Sequence, residues 1–170
     1  MLTFDENTAK ESVFQEAQKF IEEKGLVIEE IDDKRPWGGF FVISQLSLPS
    51  FIETYFYDQN IDLSDNNVKL KPKFLIVAPH ARLSWQYHRR RSELWRVITG
   101  PIGAILSATD EQGEVNTYNK GDFINVITKQ RHRLIGLNTW GIVAEIWRHD
   151  DITNLSTEDD IVRVSDDFGR

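Results

Sequence analysis

Four residues in two segments of the sequence could together bind a divalent metal ion. On a β-strand, Gln86 and His88 would point to the same face because side chains alternate along the strand. After a short turn, Glu93 could return to that face on the next strand, and His132 follows about forty residues later, just ahead of another strand-like segment. One amide oxygen, two imidazoles and one carboxylate form a plausible ligand set for a borderline-to-hard divalent cation. The alternative for each histidine is a structural role within its strand.

A carboxylate also interrupts an apolar segment later in the sequence. Glu145 lies within residues 142–147, whose other members are apolar. Since burying a carboxylate without a partner costs free energy, such a residue is paired, catalytic or facing an internal cavity. The pattern favours a cavity-facing carboxyl group, and Glu145 is our candidate for proton transfer.

The elements that must position these residues are mostly short strands. From Arg35 onward, β-forming segments recur at close spacing, and turn sequences such as Gly100-Pro101 and Lys120-Gly121-Asp122 separate several of them. We predict strands near residues 40–43, 74–78, 94–99, 102–108, 115–118, 123–127, 133–137 and 142–147. Residues 57–67 are predicted to form a polar loop, and no second helix is predicted among the strands. This pattern is typical of an antiparallel sandwich or barrel.

One amphipathic helix is predicted ahead of the strands. Thr8 and Glu11 have the spacing of a capping box. The residues that follow place an apolar stripe on one helical face, formed by Val13, Phe14, Ala17, Phe20 and Ile21. Gly25 stands where a helix commonly ends in a residue that tolerates positive φ. We expect this helix to pack on the main body or on a second subunit.

Composition and charge exclude several classes of protein. The chain of 170 residues has no cysteine, which rules out disulfides, cysteine-ligated metals and a thiol nucleophile. Its net charge is −7, to which residues 1–34 contribute −6, residues 150–170 contribute −5 and residues 35–149 contribute +4. A basic centre between acidic ends suits a small anionic ligand better than nucleic acid. The sequence shows neither a membrane span nor a signal peptide, so we expect a cytoplasmic protein.

Longer motifs surround the candidate residues. R-P-W-G stands at 35–38, L-S-x-Q-x-H-x-x-R-x-E-x-W at 83–95, H-R at 132–133 and E-D-D-I-V-R-x-x-D-x-F-G-R at 158–170. In these motifs, residues 35–170 resemble the cupin domain of type II phosphomannose isomerases, and the two-part cupin signature is matched at Gln86, His88, Glu93, Gly100, Gly121 and His132. The resemblance implies an all-β fold, a single cupin (jelly-roll) β-barrel with an N-terminal α-helix. We therefore predict a helical extension at 1–34 and a cupin barrel at 35–170, with the acidic C-terminal tail packed on the barrel.

The resemblance further implies a metal-dependent aldose–ketose isomerase that acts on a sugar phosphate, either mannose 6-phosphate/fructose 6-phosphate or a related phosphoheptose. One divalent metal would be bound by Gln86, His88, Glu93 and His132. Zinc is expected first, with manganese, iron, nickel or cobalt as alternatives. The reaction moves a proton between C1 and C2 through an enediolate, which requires a cation, a base and a fixed positive group for the phosphate. A homodimer is expected, with no nucleic-acid or membrane partner.

Basic residues are candidates for the remaining roles. Arg133, next to His132, is the candidate for enediolate stabilisation, and its alternative is a solvent-facing strand arginine. Lys73 matches a family lysine and would bind phosphate or carry a proton, the alternative being a surface lysine. Arg91 also matches a family position, and Arg163 lies in the closing motif. Both are candidates for substrate binding together with Lys73 and Arg133, although Arg163 could instead neutralise the acidic residues around it.

The chain departs from the family pattern around the first histidine. Of three consecutive family histidines only His88 is present, since Arg89 and Arg90 take the other two places. Leu94 replaces the family histidine that follows the glutamate. One alternative is therefore a sugar-phosphate-binding cupin without turnover. Another is a nucleotide-sugar epimerase-like cupin, although those proteins resemble this one less because they use a His–Tyr pair without metal.

Overall fold

The computed structural model describes residues 2–67 and 69–169. Arg170, which ends the closing motif, lies outside the described residues. The strands are β1 (Ile28–Asp32), β2 (Gly38–Ile43), β3 (Lys69–Val77), β4 (Trp85–His88), β5 (Arg91–Thr99), β6 (Ile102–Ser107), β7 (Asn116–Tyr118), β8 (Phe123–Val126), β9 (Arg131–Gly136), β10 (Gly141–His149) and β11 (Ile161–Ser165). Two helices, α1 (Lys10–Glu23) and α2 (Leu48–Tyr55), and two short 3-10 turns, Gln45–Ser47 and Glu158–Asp160, complete the described elements.

The strands form two antiparallel sheets. One has the order β1-β2-β3-β10-β5-β8 and the other β11-β4-β9-β6-β7. Side chains from both sheets share a core that includes Leu75, Val77, Trp95 and Leu134, so the sheets pack face to face. This all-β barrel with an N-terminal helix confirms the cupin architecture that the resemblance implies.

The central strands of the six-stranded sheet, β2, β3 and β10, are buried on both faces. Its outer face packs against α1 and α2, where Phe14 and Phe51 contact Phe41 and Phe74 respectively. Two covered faces explain why the strand sequences of β2 and β10 are almost continuously apolar rather than alternating. A polar residue on the inner face of such a strand, Glu145 above all, is therefore held in the interior by the packing on both sides.

The N-terminal segment and the C-terminal tail both extend the sheets. Strand β1 lies within residues 1–34 and pairs with β2 at the edge of the larger sheet. Strand β11 pairs with β4, so that Ile161 stands opposite His88 and Arg163 opposite Gln86. The closing motif is thereby brought beside the candidate metal ligands. Among the described residues, no helix is both long and apolar enough to cross a bilayer.

Two local predictions are wrong. Helix α2 was not expected, and it begins with Leu48-Pro49, where proline is tolerated in the first helical turn. The capping box does not form, because α1 begins after Ala9 without a side-chain cap and the hydroxyl of Thr8 donates to Asp5 instead. Gly25 follows α1 with a φ of 72°, as its position predicts.

Candidate functional site

Strand alternation turns polar side chains of both sheets toward the space between them. There they enclose a cavity of about 60 Å³ whose other walls are aromatic and aliphatic. The cavity gathers most of the residues singled out in the sequence, namely Lys73, Gln86, Arg91, Glu93, His132, Arg133, Glu145 and Arg163. His88 lies directly beside them, with Nε2 at 3.0 Å from Oε1 of Glu93.

Two histidines and a glutamate form a buried group with the chemistry of a metal centre. His88 comes from β4, Glu93 from β5 and His132 from β9, and one ligand atom from each lies within 4.8 Å of the others. All three side chains are at most 3% exposed. Nitrogen and carboxylate ligands at this spacing are typical of zinc and of other first-row divalent ions, so this group could bind a metal.

The hydrogen bonds of His132 leave one ring nitrogen ready for a cation. Nδ1 lies 3.0 Å from the carbonyl oxygen of Gln130 and donates to it, so the lone pair is on Nε2. Nε2 is buried without a hydrogen-bond partner, 3.5 Å from Oε2 of Glu93. Burial lowers the pKa of His132 to about 4, and the ring is therefore neutral at pH 7. A lone pair and a carboxylate facing each other repel unless a cation lies between them, so the residues fit a metal.

The charge of Glu93 completes this centre. Burial alone would raise the pKa of Glu93, but the neighbouring His88 and Arg91 side chains outweigh it, and the pKa lies well below its usual range. The carboxylate thus stays ionised, as a metal ligand must.

Gln86, the fourth predicted ligand, lines the same cavity opposite His132 in the β4–β9 pairing. Its side-chain oxygen accepts a hydrogen bond from the hydroxyl of Ser84. Coordination by Gln86 would exchange this bond for one to the metal, and its role as a ligand stays a prediction.

Arg91 joins the C-terminal segment to the candidate metal centre. Its Nε donates to Oε1 of Glu93 at 3.0 Å, and its Nη1 donates to Oγ of Ser156 at 2.9 Å. The guanidinium also lies 3.4 Å from the ring centroid of Trp147. Because its side chain is only 1% exposed, Arg91 is part of the cavity wall, whereas Arg89 is exposed.

Two residues that sequence reasoning missed hold Arg91 in place. Ser156 Oγ donates to Oδ2 of Asp160 at 2.7 Å, which leaves the hydroxyl oxygen to accept from Arg91. Asp160 in turn accepts the backbone N–H groups of Arg89 and Arg90. The only sequence signal was the position of Asp160 in the closing motif.

Glu145 faces the cavity between two tryptophans. Its Oε1 accepts from Nε1 of Trp95 at 3.1 Å, and its Oε2 accepts from Nε1 of Trp147 at 3.0 Å. The Trp95 indole also lies 3.2 Å from Oε2 of Glu93, so one N–H is shared by the two carboxyl groups. Burial and the neighbouring charge of Glu93 raise the pKa of Glu145 to about 8. The cavity therefore holds a carboxyl group that can carry a proton near neutral pH beside the candidate metal centre.

Lys73, the first of the predicted basic residues, lies inside the barrel. Lys73 is buried, with Nζ 3.6 Å from the ring centroid of Trp147 and 3.2 Å from Oε1 of Glu158. Burial lowers its pKa, and the charges of Glu145 and Glu158 offset this only in part. Lys73 is thus not a surface lysine.

Arg133 is also buried, at 1% exposure, and does not face solvent. Its guanidinium contacts Gln112 and Ser165 and lies 3.7 Å from Asp167, while its Nε is without a partner. Arg163 is exposed and lines the cavity from β11.

Comparison with known proteins agrees with the sequence motifs. The family described as mannose-6-phosphate isomerase C-terminal matches residues 54–166. The alginate biosynthesis protein AlgA of Pseudomonas aeruginosa is 33% identical over 109 residues, which cover 64% of this chain and 21% of AlgA. The chain therefore spans about a fifth of the length of this relative.

Solved structures share the fold at low sequence identity. KdgF from Halomonas sp. is 13% identical, with a TM-score of 0.51 over 71% of this chain and 88% of KdgF. Vicilin from tomato, Solanum lycopersicum, is 16% identical, with a TM-score of 0.52 over 74% of this chain and 32% of vicilin. At such identities the likeness establishes the barrel fold alone.

Proposed function

The chain belongs to the mannose-6-phosphate isomerase C-terminal family, and we propose that it is a metal-dependent aldose–ketose isomerase acting on a sugar phosphate. One observation carries the proposal: a two-histidine, one-glutamate centre and the carboxyl group of Glu145 share one enclosed cavity, with the Trp95 N–H between Glu93 and Glu145. A Lewis acid beside a proton carrier is the combination that this reaction needs.

The metal would be held by His88, Glu93 and His132, with Gln86 as the proposed fourth ligand. When bound, a divalent cation supplies the positive charge that polarises the C1 and C2 oxygens of the sugar. The two imidazoles favour zinc, while manganese, iron, nickel and cobalt accept the same ligand types.

Proton transfer is assigned to Glu145. As a carboxylate it would take the proton from C2 of the aldose, and as an acid it would return that proton to C1, while the hydroxyl proton passes from O2 to O1. The N–H groups of Trp95 and Trp147 hold both carboxyl oxygens, so the group cannot rotate away from the substrate. The buried guanidinium of Arg133 would offset the negative charge of the enediolate.

Phosphate binding is assigned to basic residues that line the same cavity. Lys73 offers a buried ammonium, and Arg163 offers a more exposed guanidinium on β11. Arg91 contributes positive charge, although its donors are already committed to Glu93, Ser156, Thr157 and His88. The cytoplasmic location and the homodimer stay predictions from the sequence.

The decisive experiment is to incubate metal-loaded protein with mannose 6-phosphate, glucose 6-phosphate or sedoheptulose 7-phosphate in heavy water and to follow the C1 and C2 protons by NMR. Deuterium incorporation together with the isomeric product is expected for at least one sugar. Binding of these sugars without exchange or product would contradict the proposal and would favour a sugar-phosphate-binding protein without turnover.

A further inference from the structure

Lys73 and Glu158 line the cavity and form an ion pair in which the lysine is buried and the glutamate is partly exposed. Nζ of Lys73 lies 3.2 Å from Oε1 of Glu158, and the lysine side chain is 3% exposed while that of the glutamate is 55% exposed. Glu158 is the one carboxylate among the described residues that forms an ion pair with this ammonium. A buried cation is therefore neutralised by an anion that solvent can reach.

The backbone around Glu158 is fixed although its side chain is not buried. Two residues before Glu158, Ser156 accepts a hydrogen bond from the guanidinium of Arg91. Two residues after it, Asp160 accepts hydrogen bonds from two backbone N–H groups. Ser156 and Asp160 are both buried, so the turn Glu158–Asp160 cannot easily separate from the barrel. The Glu158 side chain can nevertheless rotate into solvent, and a phosphate that takes its place keeps the buried ammonium of Lys73 paired with an anion.

The size of the cavity indicates that something must move when a sugar phosphate enters. Its volume of about 60 Å³ accommodates a few water molecules. Pockets for small organic ligands usually measure roughly 300–1,000 Å³. Because Glu158 lines the cavity and is more than half exposed, rotation of its side chain into solvent enlarges the cavity beside Lys73.

We propose that Glu158 occupies the phosphate position on Lys73 and competes there with the phosphate ester of the substrate, which displaces it. This inference rests on the proposed function, because it names the substrate class of the same cavity. A phosphate monoester carries a charge of about −1.5 to −2 at pH 7 and three acceptor oxygens, whereas the glutamate that it replaces carries one charge. A sugar carboxylate would exchange one single charge for another, and a neutral sugar would leave Lys73 without an anion.

Other cations near the ion pair add to the attraction for a phosphate group. Arg35 and Arg163 line the cavity with Lys73. Burial would raise the pKa of Glu158, but the charge of Lys73 and, to a smaller extent, those of Arg91 and Arg35 lower it. A dianion placed where the Glu158 carboxylate lies would interact with all three cations. A phosphate can therefore replace the Glu158 carboxylate, whereas an uncharged sugar gains nothing from these cations.

The test compares Glu158→Gln with Asp159→Asn, a neighbouring exposed acid whose substitution changes the net charge equally. Calorimetry would measure binding of inorganic phosphate, mannose 6-phosphate and mannose to each metal-loaded variant and to the unmodified protein. Glu158→Gln should bind the two phosphate compounds roughly three- to tenfold more tightly, since the competing charge is gone. Asp159→Asn should change these affinities by about twofold at most, and mannose should bind equally to all three proteins.

Lys73→Met in the Glu158→Gln background should abolish the gain, because the ammonium that both anions use is removed. Equal or weaker phosphate binding by Glu158→Gln, or an equal gain in Asp159→Asn, would overturn the inference. Inorganic phosphate binds without turnover, so the two proposals can fail separately. Tighter phosphate binding without isomerisation would contradict only the proposed function, and isomerisation without tighter binding would contradict only the role of Glu158.

Discussion

Nε2 of His132 and Oε2 of Glu93 lie 3.5 Å apart, on strands that belong to different sheets. The other nitrogen of the ring is held by the Gln130 carbonyl, so the orientation of the imidazole is set by the backbone of its own strand. The carboxylate is held in the same way by Arg91 and by the indole of Trp95. Both groups are therefore oriented toward each other by partners outside the pair, which is how proteins prepare ligands for a metal.

Metal binding is expected to depend on both histidines of this centre. His88→Ala and His132→Ala should each lose most of the bound metal, because loss of a ligand opens the coordination shell to water. Elemental analysis of the purified variants measures the stoichiometry. His80→Ala is the matched control, since His80 is exposed and contacts Glu6 outside the cavity. Full metal content in both cavity variants would refute this centre.

Glu145→Gln is expected to bind substrate but to turn it over slowly. The amide keeps the shape of the side chain and cannot take a proton from carbon, so kcat should fall by roughly 10²–10⁴-fold while the binding constant changes little. Deuterium exchange into the sugar and calorimetry measure the two quantities separately. Glu111→Gln, an exposed substitution of the same type, should behave as the unmodified protein. An unchanged exchange rate in Glu145→Gln would assign the proton transfer to another group.

Ser156→Ala is expected to weaken metal binding, although Ser156 is not one of the candidate ligands. Without the hydroxyl, Nη1 of Arg91 loses its 2.9 Å hydrogen bond, and Glu93 loses part of the support for its orientation. Loss of such a supporting contact typically lowers metal affinity by roughly 10–100-fold. Competition with a chromophoric chelator gives the affinity. Ser64→Ala, in an exposed loop, is the control, and Ser156→Thr should restore binding because it restores the hydroxyl. Equal affinity in Ser156→Ala and the control would show that Arg91 is positioned without Ser156.

The stability of the metal-free protein should depend on pH through Asp160. Burial alone would raise the pKa of this carboxyl, but hydrogen bonds from Ser156 and from the Arg90 and Arg89 amides outweigh it, so the pKa lies below its ordinary value. A carboxyl group of this kind stabilises the folded state above its unfolded pKa, and the stabilisation disappears as pH falls through the lower, folded value.

Asp160→Asn should accordingly lower the free energy of unfolding by about 1–3 kcal/mol at pH 7. Its difference from the unmodified protein should shrink below about pH 4, as Asp160 itself becomes protonated. Urea unfolding of both proteins at neutral and acidic pH measures this difference. A difference that stays constant with pH would mean that the charge of Asp160 contributes nothing.

The inward-facing residues of single strands could be predicted from the sequence. Arg91, Glu93 and Trp95 alternate along β5, and Glu145 and Trp147 alternate along β10, so each set shares a face by strand geometry alone. The apolar neighbours of Glu145 also indicated its burial. The fold class followed in the same way from closely spaced strands and from the cupin motifs.

The contacts between distant segments could not be predicted. Arg91 meets Ser156 across 65 residues of sequence, and Lys73 meets Glu158 across 85, and only the packing of the C-terminal segment brings them together. Helix α2 was missed because eight residues are too few to show a clear period. The capping box failed because Asp5 binds the Thr8 hydroxyl in competition with the helix.

The division of the candidate ligands between two sheets links metal binding to folding. His88 and His132 belong to the five-stranded sheet and Glu93 to the six-stranded one, so the three groups meet only after the sheets have packed. An unfolded chain presents these ligands at separate places and binds the cation far more weakly. Each tenfold excess of free cation over its dissociation constant then shifts the folding equilibrium toward the closed barrel by about 1.4 kcal/mol. Under the proposed metal binding, a cell that supplies the ion would also set how much of this protein is folded.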